Sequence, residues 1–318
     1  ILLAHKRYSY NGKDYIQEKK IKELQIRLPS IKKTIVFDST FDSWNLNSNY
    51  WIDFEFVSVK FDHPIWVLFS SGTTGKPKAI THGTGGMLLE QYKSHSLHQN
   101  IMNGDRFFWN TTTGWMMWNY AIGSFLCGAT LCLYDGSANF PDIGVQWRFA
   151  KDAKINHFGN GSPMFIASMK QNCKDVSNEN LKFIKTIGAT GSPLSVEAFK
   201  WLQKKLPSTQ IISLSGGTDV CSAFIGGCPK LPVYAGFLQC NMLGASIKAW
   251  DENGKSITGK TGELVITEPL PSMPVFFWGD ENFKKYHDSY FAEDQEVWTH
   301  GDWIFIDELR GVLMQGRS

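Results

Sequence analysis

Apolar positions along this chain follow two rhythms. Ile21, Leu24 and Leu28 recur at the spacing that lays one face along a helix, so residues 14–28 are expected to be helical, with Pro29 closing the element. Compact apolar runs read instead as buried strands: Thr34-Ile35-Val36-Phe37, Ile65-Trp66-Val67-Leu68-Phe69 and Ala129-Thr130-Leu131-Cys132-Leu133-Tyr134. Residues 38–60, with Trp44, Tyr50, Trp51 and alternating Phe54 and Phe56, read as a packed connecting segment. From residue 85 the two rhythms alternate. Helices are expected at 85–98, 115–126, 143–153, 163–171 and 195–205, and strands at 105–110, 129–134, 155–158, 181–187 and 210–214. That order predicts an α/β fold, a mostly parallel sheet with flanking helices, whose ligands sit at the carboxyl ends of the strands. Beyond residue 232 the helices fade. Strands at 246–250, 263–267 and 303–306, with turn-rich 251–255 and 258–262 between them, predict a small β subdomain. The expected division is 1–232, α/β, and 233–318, β-rich.

Composition narrows the partners. The chain has 318 residues, 42% of them hydrophobic, enough for a large core. Its 32 basic and 30 acidic side chains leave a net charge of +2, which offers no case for nucleic acid or for membrane attachment and leaves small molecules. No apolar run reaches the ~18 residues a membrane span needs. The six cysteines (127, 132, 173, 221, 228 and 240) have no CxxC spacing and no histidine cluster beside them. Free thiols in a reducing compartment, the cytoplasm, are expected. The first residues, from Ile1 to Arg7, are too short for a signal peptide; no Met starts the chain, and it stops at Gly316-Arg317-Ser318 after an ordered-looking segment. A part of a longer protein is expected.

The chemistry concentrates in loops. Strand 65–69 empties into Ser70-Ser71-Gly72-Thr73-Thr74-Gly75-Lys76-Pro77-Lys78, where hydroxyls, exposed amides and two lysines suit a polyphosphate. It is not a Walker A loop, which needs Gly where Ser70 stands and Ser or Thr where Pro77 follows Lys76. Trp115, Met116, Met117 and Trp118 crowd a turn past a strand, as core packing or as the wall of an organic-ligand pocket. Thr190-Gly191-Ser192-Pro193 links a strand to a helix, as a nucleotide-contact loop or an ordinary α/β turn. In Ser215-Gly216-Gly217-Thr218-Asp219 the glycines allow close backbone approach, Thr218 can donate to a phosphoryl oxygen and Asp219 can hold Mg²⁺; an ordinary capped turn is the alternative. Asp302, ahead of strand 303–306, can accept two ribose hydroxyls, and Arg317 can reach the same ribose or an α-phosphate; both also read as surface residues.

In order and spacing these blocks resemble the adenylate-forming superfamily of acyl-CoA synthetases and luciferases. Thr111-Thr112-Thr113-Gly114-Trp115-Met116-Met117-Trp118-Asn119, Leu133-Tyr134-Asp135-Gly136-Ser137 and Ser215-Gly216-Gly217-Thr218-Asp219 are similar in wording to its acetoacetate-activating ligases, and the likeness covers nearly the whole chain. The resemblance implies an enzyme that joins acetoacetate to coenzyme A through an acyl-adenylate, using ATP and Mg²⁺. Residue by residue it implies that Ser70 to Gly75, Lys76 and Lys78 cradle the ATP phosphates and that Gly191, Ser192, Pro193 and Ser215 to Gly217 border the adenine. It assigns Thr218 to the α-phosphate, Asp219 to the place of a magnesium-binding Glu, and Asp302 and Arg317 to the ribose. Trp115, Met116, Met117 and Thr190 would line the acyl pocket, with Lys78, Thr218 and Asp219 as the catalytic set. Acetate-activating relatives carry Trp where Gly216 stands, so the missing indole is expected to make room for a longer acid. Another short acid and a catalytically silent homologue remain open. The superfamily also uses a mobile C-terminal domain with a catalytic lysine, after a hinge that would follow Arg317.

Overall fold

A computed structural model describes residues 1–37, 55–70, 77–294 and 296–318. The packed connection expected at 38–60 lies mostly outside them, as do residues 71–76 of the glycine-rich loop. The chain forms two compact units, one of Ile1–Ser58 with Asp135–Val145 and a larger one of Val59–Tyr134 with Gln146–Ser318. The expected boundary at 232–233 falls inside the larger unit, between Ser222–Gly226 and Cys240–Asn241, which pair in one antiparallel sheet.

In the smaller unit Leu2–His5 pairs in parallel with Thr34–Phe37, the strand expected there. The helix is shorter than its periodicity suggests, Glu18–Arg27, because Lys13–Ile16 returns along Arg7–Tyr10 as a hairpin. Asn11 and Gly12, both left-handed (φ 53° and 73°), make that turn, and an Asn-Gly pair selects this geometry.

The larger unit carries the predicted parallel sheet. Its strands run in the order Gln210–Ser213, Thr186–Thr190, His157–Gly161, Arg106–Trp109, Thr130–Leu131, and every pairing is parallel. Helices Met116–Gly123, Val145–Asp152, Ser162–Lys170 and Val196–Lys205 alternate with them. The last is capped as the chain dictates: Ser195 Oγ accepts from the Ala198 amide at 3.2 Å, and Lys204 and Lys205 close the negative end. The strand expected at 181–187 begins only at Thr186. Leu181 and Ile184 are buried by turns, Ile184 N–H donating to the Leu181 carbonyl, so their apolarity serves packing at turn spacing. The strand at 129–134 shrinks to Thr130–Leu131. Helix 85–98 is Thr84–Lys93 followed by a π-helical turn, Ser94–His98.

The rest of this unit is antiparallel. Pro64–Ser70 pairs with Lys78–Gly83, a strand the sequence pattern hid, and Phe276–Phe277 joins on the other side of the latter. The glycine-rich loop therefore joins two strands of a hairpin. Ser256–Ile257, Ile247–Trp250, Thr261–Ile266, Trp298–Ile306 and Val312–Arg317 form a five-stranded sheet in that order. One core gathers Phe107, Trp109, Tyr120, Ile212 and Leu214; a second gathers Ile80, Phe224, Leu264, Trp298, Ile304 and Val312. No described helix is long and apolar enough to cross a membrane.

Candidate active site

The parallel strands Thr186–Thr190 and Gln210–Ser213 run in register, Ala189 opposite Ser213, and their carboxyl ends open into a cavity of about 590 Å³. One wall is apolar. Trp115 is extended, and Met116 and Met117 start the helix that follows it, so its first turn faces the cavity together with Tyr120, one turn on. Thr190 Oγ1 donates to the Leu214 carbonyl at 2.8 Å, tying the two strand ends. Ser162 Oγ donates to the Ser192 carbonyl at 2.6 Å and pins the loop Gly191-Ser192-Pro193, where Gly191 takes φ 83°. All of these predicted residues line the same cavity, as do Ser215, Gly216, Gly217 and Thr218.

Gly216 corrects one expectation. A Cβ there would stand 2.0 Å from the Ser222 carbonyl oxygen and 2.5 Å from Ala223 Cα. Both are backbone atoms of the neighbouring antiparallel strand, Ser222–Gly226, at an irregularity of register between Ser215 and Gly216. The missing side chain thus meets a strand and not free pocket. The glycine is first a condition of strand approach, and an indole has no place on this backbone.

The opposite wall comes from the antiparallel sheet. Asp302 and Arg317 face each other across paired strands, Arg317 Nη1 3.5 Å from Asp302 Oδ1, and both line the cavity. Asp302 is not ahead of a strand but inside one, Trp298–Ile306; Gly301 (φ 83°) distorts it, which is why 299–302 reads as a turn in sequence. Burial raises the Asp302 carboxyl above its usual range although Arg317 acts the other way. Beside it His300 Nε2 is 3.5 Å from Asp302 Oδ2, its ring set edge-on against Phe224. Burial lowers this histidine to about 4.

Lys78 and Asp219 are absent from the lining and meet each other. Lys78 Nζ lies 2.8 Å from Asp219 Oδ1, with the two side chains 24% and 17% exposed. The Tyr290 hydroxyl donates to the same Oδ1, and the ammonium sits 4.7 Å from the Tyr290 ring centre. His82 Nε2 donates to the Asp219 carbonyl at 2.8 Å. Burial would raise the Asp219 carboxyl, but the Lys78 charge and hydrogen bonds outweigh it and hold the group below its usual range. Asp219 Oδ2 is turned to Gly217, 3.5 Å from where a Cβ would be. Ser70 ends its strand opposite Lys78 in register. Ser71, Gly72, Thr73, Thr74, Gly75 and Lys76 lie outside the described residues. Among the described residues no group of three or more His, Cys, Asp or Glu gathers to cage a metal.

Tyr120, Tyr290 and His82 are site neighbours that sequence reasoning missed. Tyr120 was findable, since it follows Met116 and Met117 by four and three positions on one helix face. Tyr290 was not: 71 residues separate it from Asp219, and nothing local marks it.

Buried neutral histidines make the unit acid-sensitive. His95, packed on Tyr120 at 4.3 Å and donating from Nδ1 to the Gln91 carbonyl at 2.8 Å, is lowered to about 4 by burial, as is His300. Between that value and the unfolded value of about 6.5 the unfolded chain binds more protons, so stability falls as pH falls through this window, by up to roughly 1.4 kcal/mol per pH unit for each ring. Urea unfolding at pH 7.5 and 5.0 is expected to show the loss, and His95→Gln to reduce its slope. An unchanged midpoint at pH 5.0 would contradict charged-form exclusion at these sites.

Comparison with known proteins adds the following. The family described as AMP-binding enzyme matches residues 7–274. An acetoacetyl-CoA synthetase from Gallus gallus is 37% identical over 329 aligned positions, which take in 97% of this chain and 49% of that protein. An acetoacetyl-coenzyme A synthetase from Rhizobium meliloti is 41% identical over 83% of this chain and 41% of its own length. Among solved structures, an acetoacetyl-CoA synthetase from Streptomyces lividans superposes with a TM-score of 0.90 at 41% identity, covering 100% of this chain and 51% of its own. The chain thus spans about half the length of the relatives it matches.

Proposed function

This chain belongs to the AMP-binding enzyme family, and from that we propose that it is the nucleotide- and acid-binding part of a ligase joining acetoacetate to coenzyme A, with ATP and Mg²⁺. One observation carries the reading. A single cavity joins an apolar wall, Trp115, Met116 and Met117, to a polar wall suited to a nucleotide, Asp302, Arg317 and the loops at 191–193 and 215–218. The likeness to acetoacetyl-CoA synthetases supports acetoacetate as the acid.

In the first step a carboxylate oxygen of the acid would attack the α-phosphorus of ATP; the bond to the pyrophosphate oxygen breaks and pyrophosphate leaves with the electron pair. The substrate carboxylate is the nucleophile, so this chain's task is to position and to balance charge. Asp302 would accept the ribose hydroxyls, with Arg317 beside it. Thr218 would donate to the α-phosphate, and Lys78 would turn from Asp219 to the phosphates. Met116, Met117 and Thr190 would hold the acid against the reacting phosphorus. Asp219 fits a magnesium site, because Lys78 and Tyr290 both meet Oδ1 and leave Oδ2 beside Gly217, and Mg²⁺ is commonly held by one or two carboxylates plus substrate phosphates. When bound, the ion would offset charge on the phosphate oxygens. In the second step the coenzyme A thiolate would attack the acyl carbon and AMP leaves. Six free thiols support a cytoplasmic setting.

Acid-dependent ATP–pyrophosphate exchange by the full-length protein tests this, across acetate, propionate, butyrate and acetoacetate. Acetoacetate is expected to give the highest kcat/KM. A single methylene is worth only about 1–3 kcal/mol in such a pocket, so a neighbouring acid ranking first would redirect the substrate and keep the chemistry. No exchange with any acid would reject the reading.

A further inference from the structure

Tyr290 has a place in this site that no motif assigns. It ends the helix Lys284–Tyr290 and is 3% exposed. Its ring lies 3.5 Å from the Trp298 ring, centre to centre and 13° from parallel, with Phe277 and Tyr286 edge-on at 5.7 and 5.3 Å. A ring held on three sides has little freedom, so its hydroxyl direction is set by packing. That hydroxyl donates to Asp219 Oδ1. A phenol hydroxyl is uncharged near neutral pH, so it meets the carboxylate as a neutral donor.

The carboxylate is divided by these contacts. Oδ1 takes both the Lys78 ammonium and the Tyr290 hydroxyl, while Oδ2 has no hydrogen-bond partner among the described residues and lies against Gly217, on the cavity wall. The two Oδ1 partners differ in permanence. Lys78 is a flexible cation, for which a bound triphosphate competes. Tyr290 is uncharged and clamped, so a phosphate does not draw it away. Without it, the departure of Lys78 would leave the Asp219 side chain free to rotate.

We infer that Tyr290 is a positioning residue: it holds Asp219 by Oδ1 so that Oδ2 keeps its place beside Gly217 of the cavity lining, ready for a phosphate-bound divalent cation when Lys78 moves to the nucleotide. This rests on the proposed nucleotide chemistry of the site, and the test separates the two. ATP binding is measured by titration calorimetry on the full-length protein, without Mg²⁺ and across a Mg²⁺ series, for wild type, Tyr290→Phe, Asp219→Asn and the double variant.

Tyr290→Phe is expected to raise the half-saturating Mg²⁺ concentration about tenfold, the scale of a lost hydrogen bond to a charged group, while metal-free ATP affinity stays at the wild-type value. In the Asp219→Asn background the same change is expected to add nothing. A Mg²⁺ curve for Tyr290→Phe that overlays wild type would overturn the inference, as would equal loss with and without metal. Trp298→Phe, which loosens the stack and keeps the hydroxyl, is expected to give a smaller shift of the same curve; should Tyr290→Phe fail to fold, no shift in Trp298→Phe would overturn the inference. A wild-type protein that binds ATP without any Mg²⁺ dependence would overturn this role alone. One that binds no ATP at all would remove the functional reading beneath it.

Discussion

Lys78→Met is expected to lower acid-dependent ATP–pyrophosphate exchange by about 100- to 1,000-fold, the usual cost of losing a charged partner for a transferring group. Two effects coincide at this residue, and a second substitution separates them. Lys78 is also the counter-ion of Asp219 at 2.8 Å. Removing it leaves a carboxylate that is 17% exposed with only the Tyr290 hydroxyl on Oδ1. Breaking a fully buried pair costs about 3–5 kcal/mol, and the partial exposure here argues for about 1–3 kcal/mol. The pair's own contribution has a defined pH sign. The Asp219 carboxyl is held below its unfolded value, so that stability is present above an unfolded pKa of about 3.9 and is lost as pH falls through the lower folded value. In Lys78→Met/Asp219→Asn most of the lost melting temperature is expected to return, and none of the exchange. Exchange in Lys78→Met above a tenth of wild type would end the assignment of Lys78 to the phosphates.

Gly216→Trp is expected to unfold the wall of the site, not to retune it for acetate. Any Cβ at this position enters the backbone of Ser222 and Ala223, at 2.0 and 2.5 Å. Overpacking against movable side chains costs about 1–3 kcal/mol, and backbone atoms that belong to a paired strand yield less readily. Gly216→Ala alone is therefore expected to cost about 3 kcal/mol, read as a fall in melting temperature of roughly 6–12 °C for a domain of this size. The tryptophan variant is expected to be recovered mainly as insoluble protein. A folded Gly216→Trp that activates acetate in preference to acetoacetate would restore the indole-space explanation and contradict the strand-approach one.

The fold was legible where local pattern and final environment agree. A strand such as Gln210–Ser213 carries a buried apolar centre, Ile211 and Ile212, and the helix before it carries a periodic face and a cap at Ser195. Legibility failed where an element's neighbours came from far along the chain. Lys78–Gly83, Lys-Ala-Ile-Thr-His-Gly, has little strand character of its own; it is held by Pro64–Ser70 on one side and by Phe276–Phe277 on the other. Trp298–Ile306 was half hidden because Thr299 to Asp302 look like a turn, and Gly301 does distort the strand there without ending it.

The candidate site divides in the same way. Residue type and order alone marked Trp115, Met116, Met117, Thr190 and the blocks at 191–193 and 215–218, because strand-end loops in a parallel sheet must face one edge, and the cavity gathers them there. The same reading singled out Lys78, Asp219, Asp302 and Arg317 as charged groups in company suited to a nucleotide. Which charges meet was a matter for the tertiary structure, since pairing depends on distance between strands and not on spacing along the chain. It joined Lys78 to Asp219 and set Arg317 across from Asp302. It brought the Tyr290 hydroxyl to the Asp219 carboxylate from beyond residue 284 and stacked Trp298 on the Tyr290 ring. It also reassigned Gly216 from an empty place in a pocket to a contact between two backbones, a distinction of about 2 Å that no sequence pattern can carry.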